Sequence, residues 1–521
     1  MNDNKNEGHH NIYKSSIIVS IIIIVGKVFG FLRDAVIAGY YGASWQTDAF
    51  FFAQSMPSMI FPAVCNSIST AFISLYVSRS IEKGFEEGEK FASRILVTTI
   101  LIAIALSALA LFFTPWIVPI FAPGFTAIQN KLAIHLTRLT MGAFVLTMAN
   151  YMLSAILNSK KMFYGSQIAA LGYNVTVIII TILLGNGQSM DALTLTVILG
   201  HLIQVIMLIW FARKNFNFTF KVNPFHHDTK QLITLALPIL FGNSIVQINN
   251  IVDKVIASFL ESGAVSALSY SSSLNRFVTG VFITTLSTVI YPSLTASYAN
   301  NDIKRFNSEL LNSLSLLPIV ILPISIITTI YATDIVSIVY ERGSFDLNAT
   351  KLTAAALTFY AGMYVFSSVQ EVIIRAFYAL KDAKTPMVNA TIAVVANSVI
   401  SIILSRIMGI GGIALGTTIS TALTSVILWF SLKKKLPDLK LTCLYPTIIK
   451  VLFSAFVMII VLLYIQQELL YLSPLLRFLM VTLIGFLVYF GTLLILKCRE
   501  LIIILNIFKR KLTKKGYMDK L

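Results

Sequence analysis

Charged side chains follow one face of the first long apolar segment of the chain. Lys27, Arg33 and Asp34, together with Gly26 and Gly30, are spaced at the intervals that place residues on one stripe of an α-helix. Lys and Arg both bind phosphate, Arg through its planar fork and Lys as a point charge. The pattern therefore predicts a net-cationic helix face suited to a phosphate- or carboxylate-bearing molecule.

Three other apolar segments carry a similar stripe of polar residues. One is centred on residues 243–254, another covers residues 269–280, and a looser version lies at residues 48–69. The candidate substrate-binding residues are Lys27, Arg33, Asp34, Asp48, Asn250, Lys254, Ser273 and Arg276, and the candidates for binding a coupling ion are Asn243 and Asp253.

These stripes are expected to face a shared interior. A charge that faces acyl chains at the bilayer centre costs at least about 2.5 kcal/mol, so the four helices should border a water-accessible cavity. No acidic residue precedes Arg276 within two turns on its helix face, which predicts an excess of positive charge and an anionic guest. One alternative stays open: the adjacent acid–base pairs at 33–34 and 253–254 are neutralised structural pairs, or their side chains snorkel to the interface.

The composition of the chain indicates a membrane environment for these segments. Of its 521 residues, 56% are hydrophobic and 12% are charged, whereas soluble proteins carry about 25% charged residues. The apolar runs are long and continuous rather than alternating, which favours helices over a β-barrel. The net charge of +17 does not indicate nucleic-acid binding, because the basic residues cluster in short loops between the apolar runs.

Apolar stretches long enough to cross a bilayer recur about fourteen times. Basic loops alternate with loops that are nearly free of Lys and Arg, as expected when the basic loops stay on the cytoplasmic side. The alternation predicts an all-α, polytopic, multi-pass protein with both termini in the cytoplasm. The predicted spans are 15–41, 48–77, 93–121, 132–158, 163–184, 191–212, 231–260, 264–298, 306–332, 351–380, 386–408, 411–432, 446–466 and 475–496.

The chain also resembles itself at a separation of roughly 220 residues. The sequence DAVIA from Asp34 recurs as DKVIA from Asp253, and the stretch from Ala155 parallels the stretch from Ala376. These short matches, for which chance similarity is the alternative, predict two pseudo-symmetric six-helix lobes with a site between them. The predicted organisation is a cytoplasmic tail at 1–14, an N-terminal lobe at 15–222, a C-terminal lobe at 223–440, two extra helices at 441–497 and a basic tail at 498–521.

No catalytic or metal-binding pattern is present in the sequence. It contains no P-loop, no H-E-x-x-H and no G-x-S-x-G, and Cys65, Cys443 and Cys498 have neither metal nor disulfide spacing. We therefore expect a transporter rather than an enzyme, with no cofactor and no metal. The expected energy source is a Na+ or H+ gradient, the membrane potential, or the gradient of the substrate itself.

Several motifs resemble those of one transporter family. They are GFLRDAVIAGYYGASWQTDAFFFAQSMP at 30–57, APGF at 122–125, VDKVIASFLESGAVSALSYSSSLNRF at 252–277 and VYERGSFD at 339–346. They occur in the order found in the MurJ (MviN) family, the lipid II flippases of the MATE-like (MOP) exporter superfamily.

This resemblance implies a substrate and a mechanism. The substrate would be an undecaprenyl-diphosphate-linked peptidoglycan precursor, carried by alternating access from the inner to the outer leaflet of the bacterial cytoplasmic membrane. The last two predicted spans, 446–466 and 475–496, would form a groove for the lipid tail, and cell-wall synthesis proteins would be further partners. Arg33, Asp34, Asp48 and Arg276 match family cavity positions, and Lys27 stands where the family usually has arginine.

The chain departs from the family pattern in its second helix. Phe61 and Pro62 stand where the family commonly has a pair of arginines. A cationic contact to the diphosphate is therefore missing, and the extra proline is expected to kink the helix. This departure keeps open a flippase for another polyprenyl-diphosphate-linked oligosaccharide, such as an exopolysaccharide or teichoic polymer. Two rival classes also stay open: a MATE-type cation or drug exporter, and a non-transporting scaffold of an envelope-synthesis complex.

Overall fold

The structure, a computed structural model, describes residues 3–185, 189–214, 216–219, 223, 226–469 and 471–502, without the side chains of 3–20, 58–60, 62, 238–239, 241–246, 248, 284–289 and 441. Within these ranges the chain forms seventeen α-helices and no β-strand. The helices are α1 (Asp3–Tyr41), α2 (Trp45–Glu82), α3 (Phe85–Phe121), α4 (Ala127–Gly142), α5 (Phe144–Ser159), α6 (Phe163–Leu184), α7 (Met190–Ala212), α8 (His227–Ser258), α9 (Ala264–Val278), α10 (Thr285–Ala299), α11 (Ile303–Ile330), α12 (Ala332–Tyr340), α13 (Leu347–Ala379), α14 (Lys384–Met408), α15 (Ile410–Lys435), α16 (Tyr445–Glu468) and α17 (Pro474–Ile495).

Ten helical segments in the described part of the chain are long and apolar enough to cross a membrane. This result confirms the predicted all-α, polytopic class. The four other predicted spans fall on α1, on α2, on α8, and on the helical stretch from α9 to α10, which passes through a π-helical turn at Thr279–Thr284. The count of fourteen spans stays a prediction.

The element boundaries agree with the sequence where the apolar run has clear ends. The predicted span 163–184 coincides with α6. The predicted span 132–158 is divided at Ala143 between α4 and α5, next to Gly142, a residue type with low helix propensity. The nine-residue helix α12 is absent from the predicted set, because it is too short to give a spanning apolar run.

The chain forms two compact units. The first comprises Met1–Ser273 and Tyr340–Leu352, and the second comprises Leu274–Val339 and Thr353–Leu521. The first unit includes α8 because α8 packs along α2. The boundary between the units therefore lies within α9, whereas the sequence analysis places the lobe boundary at 222/223. The two pseudo-symmetric lobes stay a prediction.

Close packing of α6 on α7 in the first unit depends on a glycine. A Cβ atom at Gly200 of α7 would lie 2.8 Å from the ring of Tyr173 and 2.9 Å from Val177, both on α6. Real Cβ atoms do not approach other atoms this closely, so a side chain at Gly200 would force the two helices apart. The contact fixes the part of α6 that carries Tyr173 and Asn174.

In the second unit, α16 and α17 are attached to neighbouring helices by polar contacts as well as by an apolar core. The guanidinium of Arg477 in α17 donates two hydrogen bonds to the carboxylate of Asp334 in α12, one of them 2.8 Å long from Nε to Oδ2. The hydroxyl of Tyr331 donates to the carbonyl of Leu462 in α16 over 3.1 Å. These contacts anchor the two helices that the sequence analysis describes as an addition to the lobes.

Candidate functional site

Three of the predicted site residues meet inside the first unit. The Arg33 guanidinium donates to Oδ1 of Asp34, from Nε over 3.0 Å and from Nη2 over 2.7 Å. The other carboxylate oxygen of Asp34 accepts a hydrogen bond from the Ser273 hydroxyl. Asp34 is buried, with 8% of its surface exposed, so its charge is balanced by the neighbouring guanidinium and its two oxygens bridge α1 to α9.

Residues of three further helices support the other side of Arg33. Its Nη1 donates to Oδ1 of Asn174 over 3.1 Å, and its guanidinium lies 5.5 Å from the ring centre of Tyr173. The Tyr173 ring stacks on His201 of α7 at 4.6 Å, and Nδ2 of Asn150 in α5 lies 3.4 Å from Nδ1 of His201. We name Asn150, Tyr173, Asn174 and His201 the Arg33 support.

The Arg33 support contains residues that the sequence analysis does not include among the site residues. Tyr173 and Asn174 are adjacent polar residues in the middle of the predicted span 163–184, which also contains Ser166, Gln167, Thr176 and Thr181. Because several polar residues interrupt this span, the sequence does not single out Tyr173 and Asn174 as partners of another helix. Their contact with α1 depends on how α6 packs, which periodicity within one helix does not define.

The Arg33 guanidinium makes several polar contacts within the first unit. It has five N–H donors; three of them donate to Asp34 and Asn174, and Tyr173 is a further hydrogen-bond partner. The Arg33 side chain is 23% exposed. The neutralised pair that the sequence analysis kept as an alternative is therefore present at Arg33 and Asp34, and the Arg33 side chain is partly exposed beside it.

Asp48 is placed in a different environment from Arg33. One of its carboxylate oxygens accepts from the backbone N–H of Gly263 over 2.7 Å, and the other accepts from the N–H and the hydroxyl of Ser266, each over 2.7 Å. Asp48 is 2% exposed and lies at the positive end of the α9 dipole. This geometry favours a structural role in joining α2 to α9; a contact of Asp48 with substrate stays a prediction.

Further hydrogen bonds tie the same end of the first unit together. The Tyr270 hydroxyl donates to the carbonyl of Gly42 over 3.1 Å, and the Tyr340 hydroxyl donates to the carbonyl of Tyr270 over 3.2 Å. The backbone N–H of Ser344 donates to the carbonyl of Gly39 over 2.8 Å. We name this set of contacts, with those of Asp48, the outer junction, because the sequence analysis predicts that loops poor in Lys and Arg lie on the side opposite the cytoplasm.

The remaining candidates of the first unit lie on α8 and α1. Lys254 donates to the backbone carbonyl of Phe51 in α2 over 3.3 Å. Asp253 is buried at 8% exposure, whereas Asn250 is exposed. Lys27 lies two turns before Arg33 on α1 and is half-buried.

One remaining candidate lies in the second unit, and the side chain of another lies outside the described residues. Arg276 lies in the last turn of α9, is exposed and belongs to the second unit. The side chain of Asn243 lies outside the described residues. Within the described ranges, no group of three or more His, Cys, Asp or Glu side chains is placed to hold a metal ion.

Phe61 has a packing role in α2. It is 4% exposed, and its ring stacks on Phe144 with the centres 3.5 Å apart. The side chain of Pro62 lies outside the described residues, and α2 continues through this position as one helix from Trp45 to Glu82. At Phe61, this chain therefore has an aromatic contact where an arginine is expected from the family resemblance.

Comparisons with known proteins agree on one family. The family model described as lipid II flippase MurJ matches residues 37–490. A probable lipid II flippase MurJ of Buchnera aphidicola subsp. Acyrthosiphon pisum is 29% identical over 466 residues, which cover 87% of this chain and 90% of the relative. A probable lipid II flippase MurJ of Rickettsia prowazekii is 27% identical over 415 residues, 78% of this chain and 81% of the relative.

Solved structures give the same result for the fold. A lipid II flippase MurJ in an inward closed conformation has a TM-score of 0.78 and 28% identity, and the match covers 95% of this chain and 100% of that one. A multidrug resistance MATE transporter of the MOP superfamily, in an inward-facing conformation, has a TM-score of 0.71 with 12% identity, covering 82% and 99%. At that identity the second likeness shows a shared fold only.

Proposed function

Because the chain belongs to the lipid II flippase MurJ family, whose model matches residues 37–490, we propose that it moves lipid II across the bacterial cytoplasmic membrane. The family match is the observation that carries this function. The site geometry adds a partly exposed arginine, Arg33, in contact with helices that are apolar enough to span a bilayer. Such a group suits the diphosphate of a lipid-linked precursor.

In this proposal, Arg33 is the principal contact to the diphosphate and Asp34 keeps it in place. The Asp34 carboxylate fixes one edge of the guanidinium, and Asn174 fixes a further donor. Lys27 adds positive charge on the same helix, which reduces the cost of taking a diphosphate out of water. Arg276, in the second unit, stays a candidate contact. Asp48 acts through the outer junction, whose contacts have to break and reform during alternating access.

The direction of transport has a favourable electrical component in this scheme. Because the membrane potential is negative on the cytoplasmic side, it favours export of an anion by about 2.3 kcal/mol per charge per 100 mV. A Na+ or H+ gradient is the second energy source we propose, with the buried carboxylate of Asp253 as the candidate ion ligand. We propose that both termini lie in the cytoplasm, because the loops on the same side of the predicted spans carry most of the Lys and Arg.

A flippase for a different polyprenyl-diphosphate-linked oligosaccharide is the second candidate function. The observation that favours it is Phe61, which is buried against Phe144 and supplies no cation to a diphosphate. The diphosphate would be recognised in the same way by Arg33, and the difference would lie in the glycan. A MATE-type exporter of cationic drugs fits less well, because a guanidinium in the binding surface repels a cation.

Complementation tests the proposal. Cells depleted of their own lipid II flippase receive the wild type, Arg33→Ala, or Arg406→Ala as a matched control at an exposed arginine of α14. We expect the wild type and Arg406→Ala to restore growth and outer-leaflet lipid II, and Arg33→Ala to fail despite equal membrane expression. Failure of a well-expressed wild type would contradict lipid II as substrate and support the alternative glycan.

A further inference from the structure

A buried carboxylate in the first turn of α8 contacts two arginines from other helices of the first unit. Asp228 is 1% exposed. Its Oδ1 lies 2.5 Å from Nη2 of Arg79, in the last turn of α2, and its Oδ2 accepts a hydrogen bond from Nη1 of Arg94 in α3. Nη2 of Arg79 also donates to Oε1 of Gln231 over 3.1 Å. We name these four residues the inner junction, because the basic loops beside them are predicted to be cytoplasmic.

The inner junction depends on one carboxylate. Two guanidiniums share Asp228, and the side chains of Arg79 and Arg94 are each only 17% exposed. Removal of the acid would leave two partly desolvated cations without their shared counterion, and loss of one partner from a buried ion pair is costly. The links from α8 to α2 and to α3 therefore break together when Asp228 moves.

Apolar packing holds this end of α8 only along a narrow line. Asp228, Leu232 and Ala236 are buried and lie at helical spacing on one face. Ile233 and Leu235, which lie between them in the chain, are each 43% exposed. One leucine and one alanine bury little apolar surface, so the ion pairs are a large part of what holds the start of α8 in place.

The chain that precedes α8 is attached to α3 by different residues. The backbone N–H of Asn217 donates to Oε2 of Glu89 over 2.7 Å, and the N–H of Thr219 donates to the hydroxyl of Ser93 over 3.1 Å. Thr219 and Asp228 are nine residues apart in the chain, a length that reaches up to about 30 Å when extended. The start of α8 can therefore move away from α2 and α3 while the chain before it stays attached.

A second buried carboxylate joins the other end of α2 to its neighbours. Asp48, in the first turn of α2, accepts from the backbone N–H groups of Gly263 and Ser266 in the outer junction, whereas Arg79, in the last turn, contacts Asp228. Each end of α2 is thus joined to another helix through one carboxylate. Alternating access requires that contacts at one end break while those at the other end persist.

We propose that the inner junction is a latch. Asp228 leaves Arg79 and Arg94 when the cytoplasmic end of the first unit opens, while the outer junction stays closed. The proposal rests on the alternating-access part of the proposed function and not on lipid II as the substrate. Asp228 acts by positioning α8 and makes no contact with the substrate in this scheme.

The test measures how fast a cysteine behind each junction reacts with a water-soluble maleimide in the purified full chain. Leu232→Cys, one turn after Asp228, reports on the inner junction, and Ala267→Cys, one turn after Gly263, reports on the outer junction. Both replaced residues are buried. The exposed native Cys443 is changed to Ser in every variant, whereas the other two native cysteines are buried. No lipid II is present, so failure of the latch is distinguishable from failure of the proposed substrate.

Asp228→Asn removes the charge at nearly constant size. It should raise the labelling rate at position 232 by about tenfold and leave the rate at position 267 unchanged. Arg94→Gln leaves Arg79 paired with the acid and should raise the rate at position 232 by about threefold. Asp228→Glu keeps the charge and should label like the wild type.

Asp302→Asn is the matched control. Asp302 is an acid at the start of α11 in the second unit, and it accepts from the backbone N–H of Arg305 in its own helix. This variant should change neither labelling rate, and an equal rise at position 232 would overturn the proposal.

Two further results would overturn the latch. Unchanged labelling at position 232 in Asp228→Asn and Arg94→Gln would show that apolar packing holds the start of α8. An equal rise at positions 232 and 267 would indicate general loosening of the first unit. Arg94→Gln, which keeps the acid and one of its partners, makes the test decisive even where Asp228→Asn does not fold.

Discussion

The clearest consequence of the geometry concerns Asp48, for which the sequence and the structure favour different roles. Asp48 is 2% exposed, and its carboxylate accepts from the backbone N–H groups of Gly263 and Ser266. The Asp48→Ala variant removes this acceptor. A buried donor without an acceptor costs about 1–3 kcal/mol, and loss of a helix cap costs about 1 kcal/mol. Since the variant also removes the desolvation cost of a buried carboxylate, we expect a net destabilisation of about 3 kcal/mol.

The measurement is the free energy of unfolding of the purified protein in detergent, with the melting temperature as a second readout. Asp302→Ala is the control, because Asp302 caps α11 through one hydrogen bond of 2.9 Å to the N–H of Arg305 and is exposed. It should lose only about 1 kcal/mol. A substrate-binding carboxylate in a cationic site would behave differently: Asp48→Ala would abolish transport while leaving stability unchanged or increased. That result would refute the structural role of Asp48.

Three further predictions concern other polar contacts. Asn174→Ala removes one acceptor from the Arg33 guanidinium, at a cost of about 1 kcal/mol in stability. It should reduce outer-leaflet lipid II in the complementation assay without loss of expression. Asn174→Asp keeps the acceptor but places a second carboxylate against Arg33, and it should reduce transport further, so full transport by Asn174→Asp would contradict the role of Arg33. Arg477→Ala leaves the buried carboxylate of Asp334 without its main partner. The free energy of unfolding should fall by about 3 kcal/mol. Unchanged stability would show that α17 is held by apolar packing alone. The hydrogen bond from Lys435 lowers the pKa of Asp382 to about 2. Because folding depresses this pKa, the ionised pair stabilises the folded protein at pH values above 3.8, the ordinary pKa of the group. This stabilisation is lost as the pH falls towards 2. The melting temperature of Lys435→Ala should therefore lie below that of the wild type at pH 7 and approach it near pH 2, and a constant difference at both pH values would contradict the assignment.

The fold class follows from the sequence because the bilayer imposes it. Long apolar runs have to form helices in a membrane, since each backbone polar group needs a partner within its own segment. This constraint explains why the predicted span at 163–184 has the same bounds as α6. It gives no information on short helices such as α12, which need not cross the bilayer.

The site was less predictable, since it depends on contacts between helices. Helical periodicity places Arg33 and Asp34 on a polar face, and the structure brings them together with Ser273. Periodicity within α6 gave no reason to connect Asn174 with Arg33, which lies 141 residues earlier in the chain. A carboxylate looks the same in sequence whether it binds a ligand or caps a helix, so the contacts of Asp48 could be learned only from the fold.

The most direct test of the central claim is the binding of lipid II to the purified full chain. We predict that the wild type binds lipid II and that Arg33→Gln, which keeps an amide donor but no charge, weakens binding by about tenfold or more. The variant should still fold, as judged by an unchanged helical signal, and Arg406→Gln should bind like the wild type. Equal affinity of the wild type and Arg33→Gln for lipid II would contradict the claim that this guanidinium recognises the diphosphate.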